Sequence, residues 1–182
     1  MDPLAPLRAR TITLVGLMGV GKSSVGRRLA HALELPFRDA DDEVELAAGR
    51  SIPEIFADLG EPAFRDGERR VIARLLENPP QILATGGGAF MNPETRALIK
   101  ARSISVWLKA DPEVLAQRVR RKDNRPLLAG KNALEVLQDL ARLRYPTYAE
   151  ADLMVESGDV PHQVMVDRVI DAVTSHLKGQ EP

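Results

Sequence analysis

The chain has 182 residues, enough for one domain with a continuous hydrophobic core. Its apolar content of 44% and charged content of 28% are those of an ordinary globular protein, and a formal net charge of -1 gives no electrostatic case for nucleic acid or an acidic membrane surface as a partner. The absence of cysteine excludes disulfides and thiolate metal sites, which suits a reducing cytoplasm; no stretch approaches the roughly eighteen consecutive apolar residues of a membrane span, and residues 1–8 lack the apolar run of a signal peptide.

The first predicted strand, 11–16, is the β-branched, apolar run Thr11-Ile12-Thr13-Leu14-Val15. It leads into Gly16-Leu17-Met18-Gly19-Val20-Gly21-Lys22-Ser23, a G-x-x-x-x-G-K-S string, and then into a helical pattern carried by Val25, Leu29, Ala30 and Leu33. A strand that turns into a helix through glycines exposes backbone N–H groups at the helix's positive end, where phosphates bind. A glycine-rich turn before a helix is the plain alternative. The strand and helix on either side make the string a nucleoside-triphosphate site, with Lys22 directed at the β and γ oxygens and the Ser23 hydroxyl at Mg²⁺.

Further strands are predicted at 36–39, 81–85, 103–109 and 152–156, with amphipathic helices between them. Ser51 caps a helix that ends near Gly60, and Pro62 opens the next at its tolerated first turn. Asn92-Pro93 and Asp111-Pro112 are cap-then-proline starts, and Pro161 opens a last helix with Val164, Val169, Ile170, Val173 and Leu177 on its apolar side. There is no repeat and no linker. The alternation predicts an α/β domain spanning 1–182, with five parallel strands, helices on both faces, and ligands at the carboxyl ends of the strands.

Several strand ends carry candidate chemistry. Asp39-Ala40-Asp41-Asp42 follows the second strand; alone it reads as a solvated turn or helix cap, but one βα unit after a phosphate loop it is a candidate for a Mg²⁺ water and a hydroxylated acceptor. Thr85-Gly86-Gly87-Gly88 follows the third strand, either as a flexible turn or as backbone that approaches a ligand closely. This strand lacks the terminal Asp common in phosphate enzymes, which leaves Ser23 and Asp39 to organise the metal. Phe64-Arg65 lies near the start of the helix opened by Pro62, with Glu68 placed to brace Arg65 one turn on; a helical Arg is otherwise a surface salt bridge, and the same holds for Arg144. The stretch Arg118, Arg120, Arg121, Lys122, Arg125 and Pro126 to Asn132 is too charged and interrupted for core. It reads as a solvated loop or, in a phosphoryl-transfer enzyme, as a mobile lid over 119–132.

Taken in order, Gly16 to Ser23, Asp39-x-Asp41, Gly60-Glu61-x-x-Phe64-Arg65, Gly86-Gly87-Gly88, Arg125-Pro126-Leu127-Leu128 and Arg144-x-Pro146-x-Tyr148 resemble the motif set of shikimate kinases, over about 11–161. The resemblance implies a P-loop NTPase fold of the nucleoside-monophosphate-kinase type, with a P-loop unit at 11–35, a substrate-binding region at 39–80 and the lid. It implies ATP and Mg²⁺, a monomer, and phosphorylation of the 3-hydroxyl of shikimate on the route to chorismate and the aromatic amino acids. By similarity, Arg65 and Arg144 clamp the substrate carboxylate, Asp41 accepts the reacting hydroxyl's hydrogen bond as candidate base, and Gly86, Gly87 and Gly88 pass close to the ring. Phe56 and Phe64 supply apolar wall, with Glu68 beside Arg65. Gly19, Val20, Gly21, Lys22, Ser23 and Ser24 hold the nucleotide, Lys22 and Arg125 neutralise the transferring group, Arg118 stacks on adenine, and Ser23 ligates Mg²⁺ with Asp39 holding one of its waters.

Two other classes compete. A gluconate or nucleoside-monophosphate kinase is not expected to combine Phe64-Arg65, the triple glycine and Arg144; a non-catalytic nucleotide-binding regulator predicts loss of Lys22, Asp41 or Arg125, and all three are present. Gly67 sits inside the helix of Arg65 at a cost of about 1 kcal/mol relative to Ala, with no account from sequence. His31, His162 and His176 fall outside every motif and are expected at the surface.

Overall fold

Five parallel strands, β1 (Ile12–Val15), β2 (Phe37–Asp39), β3 (Ile82–Ala84), β4 (Ile104–Lys109) and β5 (Leu153–Glu156), form one sheet in the order β2-β3-β1-β4-β5. All five fall inside the predicted segments. The structure is a computed structural model and describes residues 2–120 and 132–180. The central strand β1 is buried at every position, as a strand covered on both faces must be, and pairs Ile12 with both Ile82 and Ile104.

Nine helices surround the sheet among the described residues: α1 (Ala5–Arg8), α2 (Lys22–Leu33), α3 (Ala40–Ala48), α4 (Ile52–Leu59), α5 (Glu61–Leu75), α6 (Pro93–Arg102), α7 (Pro112–Arg120), α8 (Ala133–Tyr148) and α9 (His162–Lys178). From β1 the chain steps to β2 on one side, whereas every later crossover steps back the other way. Right-handed crossovers therefore put α2 on one face and the helices between β2 and β5 on the other. The last helix, α9, packs against α2 on the first face.

The helix ends follow the punctuation in the sequence. Ser51 and Glu54 form a reciprocal capping box on α4, and the Asn92 side chain accepts from the N–H groups of Glu94 and Thr95 at the start of α6. Of the expected lid over 119–132, Val119 and Arg120 continue α7 and Asn132 caps α8 from an extended conformation; 121–131 lie outside the described residues. In α9 the buried face is Met165, Val166, Val169 and Val173, while Val164 is exposed, because at about 100° per residue it lies roughly 140° round the helix from Val169. The short helix α1 buries Leu7 beneath α9, a contact that a short, proline-rich start did not announce.

The carboxyl ends of β1, β2 and β3 lie side by side. Asp39 is in register with Ala84, and Val15 with Trp107, so the glycine string, the Asp39–Asp41 turn and the triple glycine all leave the sheet at one edge. This is where the crossovers change direction, the place at which open α/β sheets bind ligands.

Candidate active site

A cleft of about 430 Å³ opens above these strand ends. Its walls include Gly19, Gly21, Lys22, Ser23 and Ser24 from the first loop, Asp39 and Asp41, Gly86 and Gly87, and Arg118 from α7. Gly21 has φ of 100° at the N-cap of α2, a left-handed conformation that turns the following amides toward the cleft without a side chain in the way. The Lys22 ammonium donates to the carbonyls of Gly16 at 2.6 Å and Leu17 at 3.0 Å, so the cation lies along the rim of its own loop. Val20 is buried, and it contributes its carbonyl, which accepts from Arg118.

The Asp39 carboxylate does two things at once. One oxygen caps α3 by accepting from the Asp41 N–H at 2.9 Å, and the other accepts from the Ser23 hydroxyl at 2.5 Å. The helix-cap reading of this turn holds, and the same carboxylate also meets Ser23. Capping fixes the carboxylate against Ser23, and two hard oxygen donors side by side at the end of a phosphate loop fit Mg²⁺, whose remaining ligands are phosphate and water oxygens. Asp41, in the first turn of α3, has its pKa raised, first by burial and then by the neighbouring Asp39, with Lys22 and Arg65 pulling the other way.

The three glycines have a physical explanation that differs from turn flexibility. None of them has positive φ. Each lies against a different charged side chain: a Cβ on Gly86 would fall 2.8 Å from Asp41 Oδ1 and 3.0 Å from Glu68 Oε2, one on Gly87 2.9 Å from Arg144 Nη1, and one on Gly88 2.5 Å from Arg65 Nη1. Three consecutive positions without side chains let four polar groups from α3, α5 and α8 converge on one stretch of backbone.

Arg65 and Arg144 are thereby brought together, Arg65 partly exposed and Arg144 buried. Arg144 is 8% exposed. Arg65 pairs with Glu68 at 3.0 Å, as its spacing predicts, and more loosely with Glu61 at 3.4 Å; its guanidinium stacks 5.1 Å from the Phe64 ring centroid, and Phe64 packs on Phe56 at 4.9 Å. Glu68 is 3% exposed, its pKa raised by burial against the pull of Arg65, and its Oε2 has no hydrogen-bond partner among the described residues. Glu68 braces the Arg65 guanidinium and attracts that of Arg144, so with Asp41 nearby the site offers two cations and a hydrogen-bond acceptor at separate points, which suits a small anion carrying hydroxyls.

A family model described as shikimate kinase matches residues 18–174. The chain belongs to the shikimate kinase family. A shikimate kinase of Caulobacter vibrioides strain NA1000 is 72% identical over 172 residues, covering 94% of this chain and 86% of its own length. Among solved structures, shikimate kinase from Acinetobacter baumannii in complex with shikimate superposes with a TM-score of 0.90 at 36% identity, with both chains covered in full. A gluconokinase from Sinorhizobium meliloti superposes with a TM-score of 0.66 at 18% identity, over 96% of this chain and 99% of its own, a likeness of fold alone. The fold is that of the P-loop kinases, as the sequence implied.

Arg118, expected to stack on a base, also ties loops together: its guanidinium donates to the carbonyls of Gly19 at 3.5 Å and Val20 at 3.3 Å, and to that of Gly158 in the loop before α9. Arg125 lies outside the described residues. Of the three histidines, His162 is exposed as expected but lines the cleft beside Gly21, with Asp159 and Val160. Its position just after Pro161, at the head of the last helix, was the available signal. Thr85 lines the cleft as well, and its hydroxyl donates to the Leu14 carbonyl at 3.0 Å, fixing the third strand end to the first where an acidic residue was missing.

Proposed function

We propose that the chain transfers the γ-phosphoryl group of ATP to the 3-hydroxyl of shikimate, giving shikimate 3-phosphate and ADP in aromatic amino acid biosynthesis. The observation that carries the reading is the convergence of Arg65, Arg144 and Asp41 on Gly86–Gly88 at the mouth of a phosphate-loop cleft.

In this reading Arg65 and Arg144 hold the substrate carboxylate, 39–80 forms most of the acceptor region, and Phe56 and Phe64 wall it. Asp41 accepts the hydrogen bond of the reacting hydroxyl and takes its proton as the oxygen bonds to the γ-phosphorus and the bond to the bridging oxygen breaks. Burial that lifts the Asp41 pKa makes it a stronger proton acceptor than a solvated carboxylate. Lys22 leaves the carbonyls of Gly16 and Leu17 to meet the β and γ oxygens, and the backbone around Gly19 to Ser24 cradles them. Mg²⁺, held through Ser23 and through a water on Asp39, supplies further neutralisation of phosphoryl charge when bound. Arg118 lies on the nucleotide side and Arg125 is assigned to the transferring group. All these side chains come from one chain, which supports a monomer. A reaction whose substrates are small and soluble, in a protein without cysteine, supports a cytoplasmic location.

The test is ADP release in a coupled assay with shikimate, gluconate and nucleoside monophosphates offered separately. Turnover with shikimate alone is expected; turnover with gluconate or a nucleoside monophosphate but not shikimate would contradict the reading.

A further inference from the structure

Tyr148 heads the fully buried side chains of the described residues, with 0% exposure. Its ring packs against Trp107 at 5.8 Å and Tyr145 at 6.3 Å, on the face of the sheet that carries α8. A phenol with no access to water must place its hydroxyl on protein groups. Tyr148 donates to the Gly87 carbonyl, and its hydroxyl faces the Arg144 guanidinium, whose charge draws the phenol pKa down against burial. Burial pushes its pKa up to about 12, so it is a hydrogen donor throughout the working pH range.

Those two partners belong to different parts of the site. Arg144 lies one turn earlier on the same helix, whereas Gly87 belongs to the turn after β3. A peptide between two glycines is free to rotate unless something holds it. With its carbonyl tied to Tyr148, the Gly87–Gly88 peptide has one orientation, and in a trans bond the Gly88 N–H then points away from Tyr148. Gly87 also abuts the phosphate loop: a Cβ there would lie 3.7 Å from the Gly16 carbonyl oxygen and 3.8 Å from the Met18 nitrogen. One residue thus touches the donor loop on one side and the guanidinium on the other.

We propose that Tyr148 is a positioning residue for the acceptor substrate, whose single hydroxyl fixes the Arg144 guanidinium and the Gly87–Gly88 peptide in one relative geometry. The inference rests on the reading of Arg144 as a carboxylate clamp. Among the described residues the guanidinium has the Glu68 carboxylate as a charge neighbour but lies on a glycine, and the glycine has no side chain to anchor it. Losing the hydroxyl leaves the ring packing intact and releases both at once, so substrate binding suffers while the phosphate loop keeps its own hydrogen bonds.

Tyr145 provides a matched control. It shares the helix and the aromatic cluster, 5.1 Å from Trp107, but its hydroxyl donates to the Ala110 carbonyl at 2.6 Å, past the end of β4 and away from the clamp. The experiment compares steady-state kinetics of Tyr148→Phe, Tyr145→Phe and Gly87→Ala, with folding followed through the fluorescence of Trp107, the single tryptophan. Tyr148→Phe is expected to raise KM for shikimate about 10-fold or more and to leave KM for ATP within about 2-fold, as for the loss of a hydrogen bond to a charged group. Tyr145→Phe is expected to move neither constant. Gly87→Ala, which pushes the guanidinium aside without touching the phenol, is expected to give the same selective rise, and it carries the test if Tyr148→Phe does not fold. An unchanged KM for shikimate in Tyr148→Phe, equal rises for both substrates, or the same change in Tyr145→Phe would overturn the proposal. Failure of the wild-type chain to phosphorylate shikimate would instead remove the clamp reading on which it rests.

Discussion

The two halves of the site are built on different principles. The donor half is a contiguous string, Gly16 to Ser24, whose backbone does most of the work and whose Lys22 and Ser23 are placed by the helix start itself. The acceptor half has no local motif of comparable strength. It gathers Asp41 from α3, Arg65 and Glu68 from α5 and Arg144 from α8 onto three glycines after β3. A phosphate chain is common to all nucleotides and is met by a common loop. A particular acceptor requires charges from distant elements, and the glycines are the surface on which they meet.

If that contrast is right, damage to each half has a separable signature. The largest effect is expected in the donor half: Lys22→Ala should lower kcat by about 10³-fold, roughly 4 kcal/mol of transition-state stabilisation, with KM for shikimate little changed in steady-state assays. Asp41→Asn is expected to be comparable in kcat, and it carries a second, opposite effect. The Asp41 pKa is raised in the folded chain, so the native state holds the proton more tightly than the unfolded state, and stability falls as pH rises from the unfolded value through the folded one. At neutral pH the ionised carboxylate is therefore destabilising, and Asp41→Asn should melt higher than wild type, the gain disappearing at pH below about 3.8, the ordinary Asp value. The same shift puts the acid limb of the wild-type kcat/KM profile above 3.8, with activity lost as pH falls through it.

Next in size, Arg65→Ala or Arg144→Ala should raise KM for shikimate by about 10- to 100-fold while KM for ATP stays near its wild-type value. Equal effects on both substrates would erase the distinction between the halves. The smallest effect belongs to Gly67→Ala on α5. A Cβ there meets nothing within 4 Å, so the change should stabilise the helix by about 1 kcal/mol, a rise of roughly 2–4 °C in Tm, and leave kinetics alone.

The same contrast explains what could be read from sequence. The strands, the caps at Ser51 and Asn92 and the phosphate loop are local, and each is written in a few adjacent residues. The capping role of Asp39 was legible because it depends on one turn, and the same turn sets its carboxylate against Ser23. Arg65 and Arg144 were singled out only through the order of motifs along the chain. Helical spacing alone left them as surface ion pairs, since burial beneath the glycine turn is a property of three elements packed together. The hydroxyl of Tyr148 went unassigned for the same reason: nothing beside it in the chain names the loop it faces. The apolar face of α9 is a smaller case, where the 3.6-residue period lines Met165, and not Val164, up with Val169 and Val173.

The central claim is that two guanidiniums choose the acceptor by its carboxylate. The most direct measurement is kcat/KM for shikimate against its methyl ester, in the wild-type chain and in Arg144→Ala. The ester keeps every hydroxyl and loses only the charge. The account predicts that the wild type disfavours the ester by about 100-fold or more and that most of this preference vanishes in Arg144→Ala. Equal use of acid and ester by the wild type would contradict it.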